Sequence, residues 1–418
     1  MSIETEIQTM GAHAKRAAGE LNLVGSRKKN LILQSMADAL DEQRPAIAIA
    51  NEKDLAAGRE NGLSSAMLDR LRLDEKRMDS MIKGIRDVAD LKDPIGTRIS
   101  RWIRPNGLQI IKQRVPIGVI GIIYESRPNV TADTAALCIK TSNAIILRGG
   151  KEAMHSNAAI ADALAEGGQR KGLPDYAIQL VRTIDRAAVS ELLKMDDKLD
   201  LIIPRGGEAL IRTVTEQARM PVIKHYKGVC HTYVDAEADL EMAAEIAVNA
   251  KCHRPGVCNA METLLVHEEV ATAFLPRVAK LLDAAGVALR GDTRTCELLP
   301  TAMPATEEDW FEEYLDLILA IRVVSSLNEA VEHINTYGSR HSDAIVSSDE
   351  VAQNAFLKRV DSSTVYVNAS TRFTDGAEFG MGAEIGISTD KLHARGPMGL
   401  EELTTYKYLV MGKGQIRD

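Results

Sequence analysis

The apolar residues of this chain change their spacing near residue 100. Before that point, stretches such as 30–40 and 64–91 repeat apolar residues at the spacing of one helix face, which predicts amphipathic helices. After residue 115, short and almost wholly apolar runs alternate with helical patterns. The runs that predict buried strands are residues 116–123, 144–147, 176–181 and 199–203. Strands that alternate with helices indicate βαβ units around a parallel sheet, so we expect the α/β class.

Two further features extend this pattern. A second α/β pattern runs from about residue 229 to residue 400, with helical spacing at 240–250 and 268–284. A Pro-Asn-Gly turn at 105–107 lies between two short β-like arms and predicts a projecting hairpin. The C-terminal run 404–411 resembles an exposed strand, which we expect to be able to pair with the hairpin of a neighbouring copy.

Composition narrows the functional classes. The formal net charge is −8 and aromatic residues make up 4% of the chain, which argues against the basic, stacking surface of a nucleic-acid binder. The five cysteines include no CxxC pair, so we expect reduced thiols in a cytoplasmic protein. The first residues lack the pattern of a signal peptide, and the apolar runs fall short of the ~20 residues of a membrane span.

One cysteine stands out by its surroundings. Cys258 lies in a loop of small residues, 254–260, which an apolar run at 264–266 follows closely. Such a loop suits a nucleophile, because it can approach a substrate while the apolar run anchors it. The alternative is a buried cysteine that packs as a small apolar side chain, the more common role of a free thiol.

Polar residues also follow the predicted strands, at the end where parallel sheets bind ligands. Asn129 offers an amide donor for a developing oxyanion, and Arg127 offers a guanidinium for a carboxylate or phosphate. Arg148 and Lys151 flank a glycine pair after the next strand, and Gly206 lies in a similar loop after a later one. Such loops can receive a phosphate or can be solvated turns. No strand is followed by GxGxxG, so that motif supplies no argument for a dinucleotide.

Two later segments carry further candidate chemistry. Residues 333–345 include two histidines, two serines and an aspartate, which is compatible with a serine hydrolase or a metal site. His333 and His341 lack a close ligand spacing, so we predict no metal. Arg372 lies in a polar loop after the predicted strand 364–367, where it can bind a substrate carboxylate or belong to a surface turn.

Taken together, these segments resemble the aldehyde dehydrogenase superfamily, and within it the branch that reduces glutamyl phosphate. The resemblance covers nearly the whole chain, and residues 330–345 are its most specific part. The other matching segments are residues 115–121, 125–131, 254–266, 365–373 and 393–400. Because these motifs are highly specific, the resemblance outweighs the purely structural interpretation of each segment.

The resemblance implies NADPH-dependent reduction of L-glutamyl 5-phosphate to L-glutamate 5-semialdehyde in proline biosynthesis, with phosphate released through a cysteine thioester. It implies a Rossmann-like NADP-binding domain at 1–98 and 112–227 and an α/β catalytic domain at 228–403. A small β oligomerisation flap would consist of the hairpin 99–111 and the tail 404–418. We therefore expect a cytoplasmic homo-oligomer that acts on a small molecule, binds neither nucleic acid nor membrane, and is a candidate to contact glutamate 5-kinase.

The resemblance also assigns roles to individual residues. Cys258 takes the position of the nucleophile, and Asn129 that of the asparagine that stabilises the oxyanion. The cofactor residues are Arg148, Lys151, Gly206 and Asp316, of which Asp316 is expected to hold the nicotinamide ribose. The substrate residues are Arg127, Arg254 and Arg372, which supply the local positive charge that an anionic substrate requires in an acidic protein.

Two departures from the family pattern bear on the chemistry. Residues 225–231 lack the carboxylate that activates water in hydrolytic members, which fits phosphate as the acyl acceptor. Cys252 lies close to Cys258 in sequence and is a candidate for a competing thiol. Three alternatives stay open: a related dehydrogenase for a different semialdehyde, a thiol hydrolase that pairs Cys258 with His231 or His225, and a non-catalytic scaffold.

Overall fold

The computed structural model describes residues 2–417, which form two compact units. Unit 1 contains residues 2–224, 380–386 and 398–417, and unit 2 contains residues 225–379 and 387–397. Each unit has a parallel sheet with helices packed on it, so the α/β class expected from the sequence is confirmed.

The unit boundary differs from the predicted domain boundary near the C-terminus. Residues 380–386 and 398–403 belong to unit 1, although the sequence places them in the catalytic domain. Hydrogen bonds explain the difference. Asn143 Nδ2 donates to Leu403 O at 2.8 Å, which holds residues 398–403 on unit 1. Ile385 N–H donates to Met398 O at 2.9 Å, and Met398 N–H donates to Gly386 O at 2.8 Å, so the two segments are joined to each other.

Unit 1 begins with five helices. They are α1 (Ile3–Leu21), α2 (Ser26–Glu42), α3 (Arg44–Glu60), α4 (Ser65–Leu71) and α5 (Glu75–Asp90). The helical stretch predicted at 64–91 is two helices, because the Asp74 side chain accepts a 2.9 Å hydrogen bond from Arg77 N–H and starts a new helix. Of the helices within residues 2–417, none has the length and apolar character needed to cross a bilayer.

A four-stranded parallel sheet forms the core of unit 1. The elements that follow α5 are β1 (Arg98–Ile103), β2 (Gln109–Pro116), β3 (Val119–Tyr124), α6 (Asn129–Lys140), β4 (Ala144–Arg148), α7 (Met154–Gln169), β5 (Ile178–Leu180), α8 (Ala187–Leu192), β6 (Leu201–Arg205) and α9 (Glu208–Gln217). The sheet order is β5-β4-β3-β6, and every residue of β3 is buried. The loops after β3, β4 and β6 therefore lie along one edge of the sheet.

Two of these strands differ from the predicted ranges. The strand predicted at 176–181 covers only β5, since Tyr176 has a φ of +63° and cannot continue a strand. The strand predicted at 199–203 is shifted to β6 and ends at Arg205, which brings Gly206 directly to the edge of the sheet.

Unit 2 is built on a seven-stranded parallel sheet. Its elements are β7 (Cys230–Val234), α10 (Leu240–Cys252), β8 (Met261–His267), α11 (Glu268–Ala284), β9 (Ala288–Gly291), α12 (Thr293–Leu298), β10 (Met303–Pro304), β11 (Ile318–Val324), α13 (Leu327–Tyr337), β12 (Ser342–Val346), α14 (Glu350–Arg359), β13 (Thr364–Val367), β14 (Ile387–Ser388) and β15 (Gly396–Pro397). The order is β10-β9-β11-β8-β7-β12-β13. Helices α10 and α11 bury apolar residues on one face, and α13 and α14 on the other. The loop before β8 carries Cys258.

A three-stranded antiparallel sheet completes unit 1 and forms the predicted flap. The hairpin of β1 and β2 is confirmed, with Gly107 at a φ of +87° in its turn. The third strand, β16 (Thr404–Met411), pairs with β2 of the same chain along its whole length. Pairing with β2 occupies one edge of β16 and leaves the strand outermost in the sheet, so its pairing with the hairpin of a neighbouring copy stays a prediction. Residues 112–116, which the sequence places in the cofactor domain, also belong to this flap.

Candidate active site

The loop that carries Cys258 is held tightly within unit 2. It connects α10 to β8, and a 3.0 Å hydrogen bond from Ala260 N–H to Val257 O closes a turn in it. A Cβ on Gly228 would lie 2.0 Å from the carbonyl oxygen of Cys258, so residue 228 packs directly on the loop. The Cys230 thiol donates to the same carbonyl at 3.2 Å. Cys258 is therefore a half-buried thiol on a fixed backbone, as a nucleophile requires.

Burial affects the chemistry of four further thiols. It raises the pKa of each of them above that of an ordinary cysteine; they are Cys138, Cys230, Cys252 and Cys296. Because the thiolate is the nucleophile, these residues react poorly at neutral pH. Cys252 also packs against the apolar core beside α10 and α11, which weakens the expectation that it competes with Cys258.

Two of the predicted substrate arginines share an electrostatic cluster with the thiol. Arg372 lies in a short 3₁₀ helix, Thr371–Phe373, and its carbonyl accepts a 3.4 Å hydrogen bond from Asn259. Burial lowers the pKa of Arg372, the Arg254 cation lowers it further, and Cys258 raises it. Arg372 therefore lies within electrostatic range of both Arg254 and Cys258. An anion brought to this thiol meets positive charge.

Asn129 is the first residue of α6 and follows the carboxyl end of β3. Its Nδ2 donates to Oδ2 of Asp133 at 2.8 Å, one helical turn later. Burial raises the pKa of Asp133 to about 6, although the Asn129 bond and the Arg205 cation lower it. An amide group has two hydrogens, so this bond orients Asn129 and leaves the second hydrogen to donate elsewhere. Arg127, two residues earlier, is exposed.

The carboxyl edge of the unit 1 sheet has the features of a phosphate site. Glu125 follows β3, and its Oε2 accepts a 2.9 Å hydrogen bond from Gly207 N–H at the start of α9. A Cβ on Gly206 would lie 2.6 Å from this carboxylate, so a side chain there would displace Glu125 from the helix start. The helix start thus already holds an anion from its own chain. A dinucleotide phosphate carries the same charge and fits the same backbone N–H groups.

Cations lie along the same edge. Arg148 ends β4, and its Nη1 donates to Gly149 O at 2.7 Å. Its Nε is buried without a hydrogen-bond partner among residues 2–417. Burial lowers the pKa of Arg148, Glu152 raises it, and the neighbouring Arg186 cation lowers it further. Lys151 is exposed just beyond the glycine pair. These residues fit the anionic cofactor that the sequence predicts.

The hydrogen bond of the Asp316 side chain is local and does not involve the nucleophile loop. Asp316 is exposed, and its Oδ1 accepts a 2.7 Å hydrogen bond from the neighbouring Leu317 N–H. Burial raises the pKa of Glu313, while the backbone of Gly228 and the His341 side chain lower it, so this carboxylate lies close to both. Since Gly228 packs on Cys258, Glu313 is a carboxylate beside the loop. The sequence interpretation missed it, although a pair of glutamates at 312–313 before β11 was the available signal.

The nearby histidines serve other partners. His231 is fully buried, and its Nδ1 lies 2.8 Å from Oδ1 of Asp343. His225 Nδ1 lies 2.9 Å from the carbonyl oxygen of Ile387. Neither contact presents a base to Cys258, which weakens the thiol-hydrolase alternative. Across residues 2–417, no three His, Cys, Asp or Glu side chains come together in an arrangement able to hold a metal.

The predicted site residues thus fall into two groups. Unit 2 holds Cys258, Arg254, Arg372 and Asp316, and unit 1 holds Asn129, Arg127, Arg148, Lys151 and Gly206. Unit 2 supplies a thiol and cations for an anionic substrate. Unit 1 supplies an amide donor and a phosphate-binding sheet edge.

Known proteins share this sequence and fold. The aldehyde dehydrogenase family model matches residues 2–305. The chain is 59% identical to the γ-glutamyl phosphate reductase of Moorella thermoacetica and 56% identical to that of Geobacter metallireducens, with 100% of each chain covered in both cases. A crystal structure of γ-glutamyl phosphate reductase from Thermotoga maritima is 46% identical, with a TM-score of 0.97 over 99% of this chain and 100% of that one. These matches confirm the resemblance found in the motifs. The chain belongs to the aldehyde dehydrogenase family of enzymes.

Proposed function

We propose that this enzyme reduces L-glutamyl 5-phosphate to L-glutamate 5-semialdehyde with NADPH and releases phosphate, as a cytoplasmic step of proline biosynthesis. The observation that carries the proposal is the fixed loop of Cys258 and Arg254 together with Arg372, whose short helix is hydrogen-bonded to that loop. An acyl phosphate carries its negative charge on the phosphate bonded to the carbon to be attacked, so cations beside the thiol suit it. The names of the relatives at 59% and 56% identity support the same substrate.

Cys258 acts as the nucleophile. Its thiolate sulfur forms a bond to the acyl carbon, the bond from that carbon to the phosphate oxygen breaks, and inorganic phosphate leaves with the bonding electron pair. A glutamyl thioester remains on the protein. Forming this covalent intermediate divides one difficult reduction into two easier steps.

The acyl oxygen gains negative charge during this attack and needs hydrogen-bond donors. We assign this role to the Asn129 amide and the backbone N–H of Cys258. The 2.8 Å bond from Asn129 to Asp133 supports the assignment, because it fixes the amide in one orientation before the reaction.

Membership of the family indicates a nicotinamide dinucleotide of the NAD(P) type, which supplies the hydride that converts the thioester to the aldehyde. Arg148 and Lys151 are assigned to its phosphates and to the preference for NADPH, and Gly206 to the room that a phosphate needs. Glu313 is a better candidate than Asp316 for the nicotinamide ribose. Reduction takes place on Cys258, and Glu313 lies against that loop.

Thioester formation is testable in the oxidative direction. Wild-type enzyme with glutamate semialdehyde and NADP⁺, but without phosphate, should accumulate a glutamyl adduct that intact mass and peptide mapping place on Cys258. Added phosphate should release the adduct, and Cys258→Ser should form none. If the wild-type protein reduces NADP⁺ and no adduct ever appears on this peptide, the proposed mechanism is incorrect.

The same assay separates the alternatives. A dehydrogenase for a different semialdehyde would show a higher kcat/KM with that compound than with glutamate semialdehyde. A thiol hydrolase would release glutamate from glutamyl phosphate at the same rate with and without NADPH. A non-catalytic scaffold would show neither turnover nor a higher Tm with NADPH.

We also propose that the enzyme is a homo-oligomer that receives glutamyl phosphate directly from glutamate 5-kinase. Exposed apolar residues on the flap support the first part. The second part follows from the lability of acyl phosphates in water. Hydroxylamine traps free glutamyl phosphate, so direct transfer predicts incomplete trapping in a coupled reaction with the kinase, and complete trapping would contradict it.

A further inference from the structure

Asn259, the residue after the nucleophile, makes three hydrogen bonds to the segment 371–374, while its Oδ1 is buried without a hydrogen-bond partner within residues 2–417. It is 5% exposed. Its Nδ2 donates to Thr374 O at 2.8 Å and to Arg372 O at 3.4 Å, and its backbone carbonyl accepts from Thr371 Oγ1 at 2.7 Å. One residue therefore joins the nucleophile loop to both ends of the short helix that carries Arg372.

The far side of that short helix is anchored as well. The Thr374 hydroxyl lies 2.6 Å from Ser342 Oγ on β12 and 2.7 Å from Tyr366 OH on β13. Thr371 and Thr374 are 0% and 1% exposed. Because buried polar groups lose free energy when they lack partners, these bonds strongly favour one position of the 371–374 segment.

The Arg372 side chain still has donor capacity in this fixed position. Its Nε is buried and has no hydrogen-bond partner within residues 2–417. Cys258 raises its pKa, while burial, the largest cause, and the Arg254 cation lower it. A buried guanidinium beside a second cation is costly unless an anion arrives, so this arrangement favours a strongly anionic ligand.

The substrate offers two anionic groups at different distances from the thiol. The phosphate is bonded to the acyl carbon that Cys258 attacks, whereas the α-carboxylate lies at the other end of the glutamate skeleton. The backbone of Arg372 is hydrogen-bonded to the residue next to Cys258. The Arg372 guanidinium is therefore better placed for the phosphate, which is bonded to the attacked carbon, than for the distant α-carboxylate.

We infer that Asn259 and Thr371 are positioning residues that hold Arg372 beside Cys258, and that Arg372 binds the phosphate that leaves when the thioester forms. This inference rests on the proposed function. It assigns Arg372 to the phosphate and leaves the α-carboxylate to other residues.

The positioning role is tested without substrate, by alkylation of Cys258. Iodoacetate is an anion and iodoacetamide is neutral, so the ratio of their rates, measured by peptide mapping at Cys258, reports the cation beside the thiol. Thr371→Val and Asn259→Ala should lower this ratio by about tenfold, the loss expected when a charge-assisted contact is misplaced. The iodoacetamide rate should stay within about twofold of wild type, because the thiol itself is retained.

Two variants control this experiment. Thr371→Ser restores the hydroxyl and should restore the ratio. Thr263→Val removes a buried hydroxyl that has no hydrogen-bond partner within residues 2–417, so it should leave the ratio unchanged. An unchanged ratio in both Thr371→Val and Asn259→Ala would overturn the positioning role. If Asn259→Ala does not fold, the comparison of Thr371→Val with Thr371→Ser still tests whether residue 371 positions Arg372.

The phosphate assignment is tested by oxidation of glutamate semialdehyde at varied phosphate concentration. Arg372→Gln should raise the KM for phosphate by about tenfold or more while the KM for the semialdehyde changes by less than about twofold. A rise in the semialdehyde KM alone would overturn the assignment, because Arg372 would then bind the α-carboxylate. If glutamate semialdehyde is not a substrate at all, the proposed function fails, whereas the alkylation ratio still reports the positioning role.

Discussion

At the scale of single residues, the position of Cys258 depends on neighbours to which we assign no step of the reaction. Gly228 lets the loop pack closely, and Cys230 donates to the Cys258 carbonyl. Asn259, the residue after Cys258, is held in place by three hydrogen bonds. These contacts fix the backbone on both sides of Cys258, and the fixed backbone determines where the thiol lies.

Replacement of Asn129 by alanine should lower kcat by about a hundredfold, because an oxyanion loses one donor in a site where donors are preorganised. The semialdehyde KM should change little, since the donor acts mainly in the transition state. Steady-state kinetics measure both. Asn61→Ala removes an exposed asparagine at the end of α3 and serves as a control. An equal decrease of kcat in Asn129→Ala and Asn61→Ala would contradict a catalytic role for Asn129.

Asp133 should make stability depend on pH. Burial raises its pKa from 3.8 to about 6, with the Asn129 bond and the Arg205 cation opposing the rise. A carboxyl with a raised pKa in the folded state contributes stability below its unfolded pKa and loses it as pH rises through about 6. The Tm of Asp133→Asn relative to wild type should therefore rise between about pH 5 and about pH 7.5. Parallel Tm profiles for the two proteins would contradict the shifted pKa.

At the scale of elements, the contact between residue 228 and the Cys258 loop leaves no room for a side chain. Gly228→Ala would place a Cβ 2.0 Å from the Cys258 carbonyl oxygen, so the loop must move. We expect about a hundredfold loss of kcat/KM, the cost of displacing a reacting atom by about an ångström. Gly19→Ala, with open space around an exposed position in α1, is the matched control and should retain activity. Wild-type kinetics in Gly228→Ala would disprove the close packing.

A buried ion pair ties together three segments around the same loop. Lys251 on α10 and Glu262 on β8 are 0% exposed, with Nζ and Oε2 2.5 Å apart, and Glu262 Oε1 accepts from Leu315 N–H at 3.3 Å. Burial raises the pKa of Glu262, and the ammonium lowers it. Glu262→Gln leaves a buried cation and should cost about 3–5 kcal/mol in the free energy of unfolding.

Urea unfolding measures this cost, and the double variant Lys251→Met, Glu262→Leu should recover most of it, because apolar side chains need no counter-charge. The exposed pair of Arg59 and Glu52 provides the control. Glu52→Gln should change the free energy of unfolding by less than about 1 kcal/mol. A double variant as unstable as Glu262→Gln would show that the loss arises from packing rather than from the unpaired charge.

At the scale of the whole molecule, one face of the flap is apolar and open. Trp102 and Tyr408 make an edge contact at 6.2 Å, and Val410 lies on the same face through the strand register. If this face joins copies of the chain, Val410→Asp should reduce the molar mass measured by light scattering. Val351→Asp alters an exposed valine on α14 and should not. An unchanged mass in Val410→Asp would exclude this face as the interface.

Much of the architecture was predictable because its signals are local. Apolar periodicity predicted the helices and the alternation of strands, and the Pro-Asn-Gly turn predicted the hairpin. The errors arose where distant parts of the chain meet. Residues 380–386 and 398–403 join unit 1, because hydrogen bonds such as that from Asn143 Nδ2 to Leu403 O link segments that are far apart in sequence. Glu313 was missed for the same reason, since its partner Gly228 lies on a different segment.

The sequence by itself determined the α/β class, the membership of the aldehyde dehydrogenase family, and Cys258 as the candidate nucleophile. These conclusions depend on residue spacing and on contiguous motifs, which can be recognised along the sequence alone. Only the tertiary structure decided what surrounds the thiol. Thr371 and Thr374 reach the loop because β8, β7, β12 and β13 are neighbours in the sheet but not in the chain. Glu313, which precedes β11, lies near the loop because β11 pairs with β8. Hydrogen bonding and burial act through space, so no spacing along the sequence encodes them.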